Sequence, residues 1–414
     1  MQPLDFLRHH LLALPNLTKL ALLLAVMVGV PSASRRLRLP AAVGLLLAGL
    51  VMGPHGLQLF GENRPIVDFL SELGKLLLMF LAGLEVNLAR FTAARNKALA
   101  FGLLTTAAPQ ALGTGVALLF GYPAVPAVVI GSLLASHTLL GLPTIERLGL
   151  SQSEPVTVTI GATVMSDTLS LVVFAICVST FRFGFSTLAL TRQVLEIAAF
   201  VPLVLFGVSR VGRWILEKVK DQEDVYFVVM LAIVGVGGSL ADTINLPPIV
   251  GAFLAGLAVN AAAPGDHPAK EKLAFFGRSL FIPIFFIVTG FLIDPRTFVE
   301  SVSRHFTLVV AIISALLLGK GIAAEVAGKA FGYASAARRT VWSLTLPQVA
   351  ATLAAALVAH DTVNPAGARL IDGEMLNIVF VLVLTTSILG PVLTERFAPH
   401  MLSETPPQRL KRAS

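Results

Sequence analysis

One acidic residue stands where a charge is least expected. Asp167 lies near the centre of an apolar run at 157–181, with at least ten uncharged residues on each side. A carboxylate in a membrane segment is costly unless it faces a cavity or a partner, so it is a functional candidate. Because its oxygens can hold a proton or a metal cation but not both, we predict that Asp167 binds the two ions in turn. A structural aspartate hydrogen-bonded to helix backbone is the alternative.

Hydroxyl side chains surround this aspartate along the chain. Thr163 lies one turn before it and Ser170 just under a turn after it, on the same helix face, and Ser166 is its neighbour. Hard oxygen ligands suit a monovalent cation, so we predict that Thr163 and Ser166 belong to the binding site. Hydrogen bonds within their own helix are the more ordinary role for such residues.

A lysine is the second charge placed deep in an apolar run. Lys320 lies in the sequence Leu-Gly-Lys-Gly at 318–321, within a predicted span at 305–328. It is expected to pair with Asp167 or to compete with a cation for that carboxylate. The alternative is a side chain that extends its ammonium to the membrane surface.

Several other kinds of site are excluded by the residues present. The single cysteine, Cys177, lies in an apolar run, which excludes a disulfide framework and a thiolate metal site. No HxxxH pair, GxSxG motif or phosphate-binding loop occurs. An intramembrane aspartyl enzyme would need two acids within spans, and only Asp167 qualifies clearly. We therefore predict neither an enzyme nor a cofactor.

The elements that position these residues must be membrane helices. Hydrophobic residues make up 55% of the 414 and charged residues 13%, about half the charged share of soluble domains. The apolar residues fall in runs of roughly twenty, the length that crosses a bilayer, without the ten-residue alternation of membrane strands. The sequence therefore predicts an all-α polytopic membrane protein with thirteen spans, at 11–33, 40–56, 66–88, 98–120, 125–143, 157–181, 187–209, 225–244, 246–262, 273–293, 305–328, 340–359 and 375–395.

The basic residues predict the orientation of these spans. Of the 31 lysines and arginines, 21 fall in the inner segments and seven in the outer ones if the N-terminus is outside and the C-terminus cytoplasmic. Basic residues confined to short loops also argue against nucleic acid as a partner. The first span has a second interpretation, a cleaved signal peptide, but the arginines at 35, 36 and 38 resist export. The polar tail at 403–414 is predicted to be disordered and cytoplasmic.

The two halves of the chain repeat each other at an offset of 207 residues. Eight of twelve positions at 39–50 are identical at 246–257, and the same offset carries Gly83 onto Gly290. The copies begin at the second and ninth predicted spans, and an odd separation reverses direction across the membrane. Inverted repeats of this kind occur in secondary transporters. Within a membrane domain at 1–402, we therefore predict repeat one at about 39–181, repeat two at about 246–395, and a linking helix at about 187–209.

Matched segments of the two repeats are predicted to be broken helices. The stretches 132–143 and 343–352 each contain Ser-x-Thr followed by a proline, Pro143 in the first and Pro347 in the second. Proline removes a backbone donor and crowds the carbonyl four residues earlier, which opens the helix; an ordinary kink is the alternative. Two such breaks that cross at mid-membrane would place polar groups beside the buried aspartate. The candidates are Ser136, His137 and Thr138 from the first break and Ser343, Thr345, Pro347 and Gln348 from the second. For His137, a packed neutral histidine is the alternative.

Five stretches give the chain a family resemblance. They are LPAAVGLLLAGLVMGP at 39–54, FLAGLE at 80–85, GATVMSD at 161–167, LPPIVGAFLAGL at 246–257 and FIPIFFIVTGFLID at 281–294. Together they resemble the cation:proton antiporter superfamily, in the branch with bacterial sodium/proton antiporters and glutathione-gated potassium efflux systems. The resemblance implies a homodimer in the bacterial inner membrane, with a dimerisation domain and a mobile core built on two crossed broken helices. It also implies elevator-like exchange of Na⁺ or K⁺ for H⁺.

Individual residues match the family pattern or depart from it. Asp167 matches the essential aspartate, and Ser136 and His137 match the polar pair of the first broken helix. Ser166 stands where electrogenic sodium antiporters have a second aspartate, although Lys320 matches the lysine that pairs with it. With one competent carboxylate, one cation replaces one proton, so we predict electroneutral exchange with 1:1 stoichiometry. The alternative function is a sodium-coupled organic-anion symporter, a class that also uses an inverted repeat and crossed broken helices.

Overall fold

The computed structural model is built of helices throughout the residues that it describes. Apart from one isolated bridge between Val363 and Arg369, no strand pairing is present in this part of the chain. The described residues are 14–36, 39–60, 64–85, 94–150, 152–184, 187–244, 246–262 and 268–404.

Eighteen α-helical segments, two of them extended by a π-helical turn, follow one another in the described residues. They are α1 (Asn16–Arg36), α2 (Ala41–Met52), α3 (Pro65–Leu84), α4 (Arg95–Leu119), α5 (Ala124–Ala135), α6 (Leu142–Arg147), α7 (Glu154–Phe183), α8 (Thr187–Pro202) with a π-helical continuation Leu203–Val208, α9 (Ser209–Lys218), α10 (Glu223–Thr243), α11 (Pro248–Ala262), α12 (Pro268–Phe276) with a π-helical continuation Gly277–Phe281, α13 (Ile282–Gly290), α14 (Pro295–Arg304), α15 (Phe306–Ala330), α16 (Ser335–Leu344), α17 (Ala350–Asp361) and α18 (Gly373–Glu404).

The helices have the length and composition of membrane spans. Among the described residues, eight helical stretches are long and apolar enough to cross a bilayer: α1, α4, α7, Leu195–Lys218, α10, Pro268–Gly290, α15 and most of α18. Four further apolar helices, α2, α5, α11 and α17, are shorter. The predicted all-α membrane architecture is confirmed, whereas the count of thirteen spans stays a prediction. The predicted tail overlaps the end of α18 at 403–404, and its remainder lies outside the described residues.

Close helix crossings tie the two halves of the chain together. A Cβ on Gly49 of α2 would overlap the carbonyl oxygen of Ile287 on α13, and a Cβ on Gly256 of α11 would overlap that of Phe80 on α3. The 207-residue offset carries Gly49 onto Gly256 and Phe80 onto Ile287. The two contacts are therefore equivalent, with the glycine in the first half of the chain in one and in the second half in the other. Small residues allow membrane helices to approach this closely. The same exchange relates a second pair of crossings, Gly83 with Phe253 and Gly290 with Leu46.

Two helices are interrupted in the middle of the bundle. α5 ends at Ala135, and the chain continues without helix until α6 begins. This interruption lies before Pro143, which falls within the first turn of α6, where its missing N–H has no intrahelical partner to lose. The second interruption, at 345–349 between α16 and α17, contains Pro347 as predicted.

Candidate functional site

The two interrupted segments cross and hydrogen-bond to each other. The main-chain N–H of Thr138 donates to the carbonyl of Pro347 at 2.8 Å. The side-chain amide of Gln348 donates to the carbonyl of Ser136 at 2.5 Å, and its oxygen accepts from the hydroxyl of Thr352 at 2.6 Å. Helix ends leave backbone groups without intrahelical partners, and here each break supplies partners for the other. The crossing is therefore fixed by polar contacts rather than by apolar packing alone.

The predicted aspartate lies at this crossing. Oδ1 of Asp167 accepts a hydrogen bond from the hydroxyl of Ser136 at 2.6 Å, and the main-chain N–H of His137 also interacts with the carboxylate. Both donors belong to the interruption after α5, so α7 presents its acid to the broken helix. A carboxylate that receives such donors is held in one orientation.

A cavity of about 310 Å³ leads to the carboxylate. Its walls are mostly apolar, and Asp167 borders it with Thr138, His137 and Thr163. Glu85, at the end of α3, also lines it and forms an ion pair with Arg278. The remaining lining residues are Leu78, Met79, Ala82, Leu139, Ile160, Val164, Phe253 and Ala351.

A much smaller void lies on the other side of the crossing. It measures about 10 Å³, roughly the room that one water molecule needs. Along α7 it is lined by Ser170, Leu171 and Phe174, which follow Asp167, whereas the large cavity is lined by residues that precede it. The large cavity thus reaches the carboxylate from the Glu85 side, whereas the small void lies toward Phe174.

The buried lysine makes three hydrogen bonds. Nζ of Lys320 donates to the carbonyl of Ala135 at 2.6 Å, to the carbonyl of Thr105 at 3.0 Å, and to Nδ1 of His137 at 3.4 Å. An ammonium has three N–H donors, so all three are used although the side chain is fully buried. Ala135 is the last residue of α5, and a positive charge at a helix C-terminus is favourable.

The imidazole of His137 connects the lysine to α7. Because an ammonium only donates, Nδ1 accepts, and the proton of the neutral ring lies on Nε2. Nε2 lies 3.0 Å from the hydroxyl of Thr163, which itself donates to the carbonyl of Thr159 at 3.0 Å. The hydroxyl of Ser166 donates to the carbonyl of Thr163 at 3.0 Å and lies 3.2 Å from Nδ1. Ser166 is fully buried.

The first broken helix and α7 bring most of their predicted residues together. Ser136 contacts the carboxylate directly, and Thr138, His137 and Thr163 border the same cavity as Asp167. Ser166 is buried and does not line that cavity. Lys320 directs its hydrogen bonds to carbonyl groups and to His137 rather than to the carboxylate.

The second broken helix contributes fewer of its predicted residues. Pro347 and Gln348 lie at the crossing. The hydroxyl of Ser343 instead lies 2.9 Å from that of Thr394 on α18. Thr345 donates to a carbonyl of its own helix.

Sequence reasoning missed two features of the site. Glu85, at the end of α3, lines the cavity and pairs with Arg278; because Arg278 lies far along the chain, the residues around Glu85 give no local signal of this pairing. The carbonyls of Thr105 and Ala135 bind Lys320, and main-chain groups carry no residue-type signal.

Comparison with known proteins identifies the family. Residues 22–397 match the family described as sodium/hydrogen exchanger, transmembrane. The chain therefore belongs to the sodium/hydrogen exchanger family, as the resemblance predicted.

Individual relatives are similar over most of this chain. The Na(+)/H(+) antiporter NhaS5 of Synechocystis is 44% identical over 92% of this chain, which spans 54% of that protein's length. The Na(+)/H(+)-K(+) antiporter GerN of Bacillus cereus is 28% identical over 88% of this chain and 92% of its own. The solved structure of the sodium proton antiporter MjNhaP1 from Methanocaldococcus jannaschii covers 94% of this chain and 98% of its own, with a TM-score of 0.72 and 15% identity. That likeness shows a shared fold.

Proposed function

We propose that this member of the sodium/hydrogen exchanger family exchanges a monovalent cation, Na⁺ or K⁺, for H⁺. One observation carries the proposal: Asp167 lies where two interrupted helices cross, and it borders a cavity of about 310 Å³. The relatives NhaS5 and GerN are named as Na(+)/H(+) and Na(+)/H(+)-K(+) antiporters, which supports the cation class. The family does not favour the organic-anion symporter that the sequence left as an alternative.

The chemistry follows from competition for one carboxylate. A hard monovalent cation prefers oxygen ligands. The Asp167 carboxylate offers them beside the hydroxyl of Ser136, which bonds to it, and beside Thr138 and Thr163, which line the same cavity. A proton on the carboxylate removes the negative charge that attracts the cation. Binding of either ion therefore displaces the other, which couples their movements.

The stoichiometry follows from the neighbour of this aspartate. Ser166 carries no charge, and its hydroxyl is engaged with the carbonyl of Thr163 and with His137. One carboxylate accepts one proton or one monovalent cation. We infer 1:1 exchange that moves no net charge.

The inverted repeat supplies a route to the opposite state. The helix crossings that exchange their ends through the 207-residue offset support two repeats related by a pseudo-twofold axis, as in alternating-access transporters. In the predicted orientation, with the C-terminus cytoplasmic, the cavity beside Glu85 faces the cytoplasm. Movement of a core domain against a dimerisation domain of a homodimer would close this side and open the side near Phe174. The bacterial inner membrane is the proposed location.

Reconstitution tests the exchange. Purified protein in proteoliposomes with a trapped pH-sensitive dye is expected to move protons when Li⁺, Na⁺, K⁺ or Rb⁺ is added, with Na⁺ or K⁺ the most effective. Asp167→Asn is expected to abolish this signal while the protein stays folded, because an amide neither titrates nor carries charge. Ser170→Ala, whose hydroxyl bonds within its own helix, is the matched control and should retain exchange. Normal exchange by Asp167→Asn would refute the assignment.

A further inference from the structure

Opposite charges lie at one crossing without contacting each other. Lys320 gives its hydrogen bonds to Ala135, Thr105 and His137, whereas Asp167 receives the hydroxyl of Ser136. Two opposite charges in a buried site attract strongly. Some feature must therefore keep the ammonium from the carboxylate.

His137 contacts both of the charged residues. Its main-chain N–H interacts with Asp167, and its Nδ1 accepts from Lys320. Its Nε2 is fixed by the hydroxyl of Thr163 on α7. The ring is 2% exposed, so it has little freedom to turn away.

The remaining contacts of the lysine limit where its ammonium can go. The carbonyls of Ala135 and Thr105 satisfy two N–H groups, which leaves the third to Nδ1 of His137. Without that acceptor, one buried N–H would lack a partner, and such a donor is costly. Asp167 is the acid whose charge acts on Lys320, and its carboxylate would accept the free N–H.

We propose that His137 is a positioning residue that holds Lys320 away from Asp167 and so keeps the carboxylate available to the transported cation. This inference rests on the proposed exchange of cation and proton at Asp167. A lysine released toward the carboxylate would occupy the place of the cation. The cation affinity would fall, while the rate of the loaded protein would change less.

Two substitutions separate the acceptor from the bulk of the ring. His137→Asn retains an acceptor close to the position of Nδ1, and His137→Leu fills similar space without one. In proteoliposomes, His137→Leu is expected to raise the KM for Na⁺ or K⁺ about tenfold or more, the effect of losing one hydrogen bond to a charged group. Its kcat should stay within about threefold of the unaltered protein, and His137→Asn should keep both constants within about threefold. A merely structural role would lower kcat in both variants alike.

Removal of the lysine tests the cause. In the double variant His137→Leu/Lys320→Met, KM is expected to return to that of Lys320→Met alone, because the competing ammonium is gone. If His137→Leu does not fold, His137→Ala removes the acceptor in its place. Equal KM values for the Asn and Leu variants, or a raised KM that persists in the double variant, would overturn the inference. Failure of the proposed function differs, since the unaltered protein would then show no cation-driven proton movement.

Discussion

Replacement of Gln348 by methionine tests whether polar contacts hold the crossing together. The side chain is fully buried; its amide donates to the carbonyl of Ser136, and its oxygen accepts from the hydroxyl of Thr352. Methionine has a similar volume and forms neither bond. Gln348→Met therefore leaves one buried carbonyl and one buried hydroxyl without these partners.

The expected loss of stability follows from those two groups. A buried polar group left without its partner costs about 1–3 kcal/mol. Because the hydroxyl of Thr352 can turn to a carbonyl of its own helix, it contributes less than a group that stays without a partner. The expected total loss of stability is therefore about 2–4 kcal/mol, in the lower part of the range for two buried polar groups. This corresponds to a change of roughly 30- to 1,000-fold in the unfolding equilibrium. Thr352→Val removes only the second bond and should cost about 1–2 kcal/mol.

Unfolding in detergent and exchange in proteoliposomes measure the two consequences. Exchange by Gln348→Met is expected to fall further than exchange by Thr352→Val, because Ser136 also positions the carboxylate of Asp167. A Gln348→Met protein as stable and as active as the unaltered one would refute the idea that this amide holds the two breaks together. The same conclusion would follow if Thr352→Val were the more damaging change.

Two further predictions concern the site and the helix crossings. Because the proton and the cation compete for Asp167, the apparent KM for the cation should rise as the pH falls. The rise should approach tenfold for each pH unit in the acid range. A KM that does not vary with pH in dye-based exchange assays would contradict this competition. Gly49→Ala should prevent α2 from reaching α13, since its Cβ would overlap a facing carbonyl oxygen. The control Gly115→Ala, whose Cβ meets nothing within 4 Å, should be neutral or stabilising by up to about 1 kcal/mol. Equal thermal stability of the two variants would contradict the close approach.

The residues that could be predicted are those whose type is unusual in a membrane span. Asp167 and Lys320 stand out in apolar runs, Pro347 marks the second break, and the glycines of the repeat mark the helix crossings. Their partners could not be predicted in the same way, because Lys320 binds the carbonyls of Thr105 and Ala135. Those groups are present in every residue, and the packing of α15 against α4, and of α4 against α5, brings them to the ammonium.

The 207-residue repeat predicts equivalent backbone positions, but it does not predict the neighbours of each side chain. The 207-residue offset relates backbone positions, so it correctly carries Gly49 onto Gly256 in equivalent helix crossings. It carries Ser136 onto Ser343, but the neighbours of these two side chains differ. Ser136 faces the carboxylate of Asp167, and Ser343 faces the hydroxyl of Thr394. A repeat in the backbone therefore predicts where helices break. Which break supplies ligands to the site depends on the side chains that surround it.

The charges at the crossing of the two interrupted segments bear on the proposed stoichiometry. With Lys320 charged and held by carbonyl groups and His137, an ionised Asp167 brings the sum at the crossing to zero. Binding of a proton or of a monovalent cation raises that sum by the same single charge. The two loaded forms then carry equal charge through the membrane in opposite directions, so the membrane potential favours neither. A transport current in reconstituted membranes that reverses with the exchange gradient would contradict this equality, and it would require Lys320 to release a proton in each cycle.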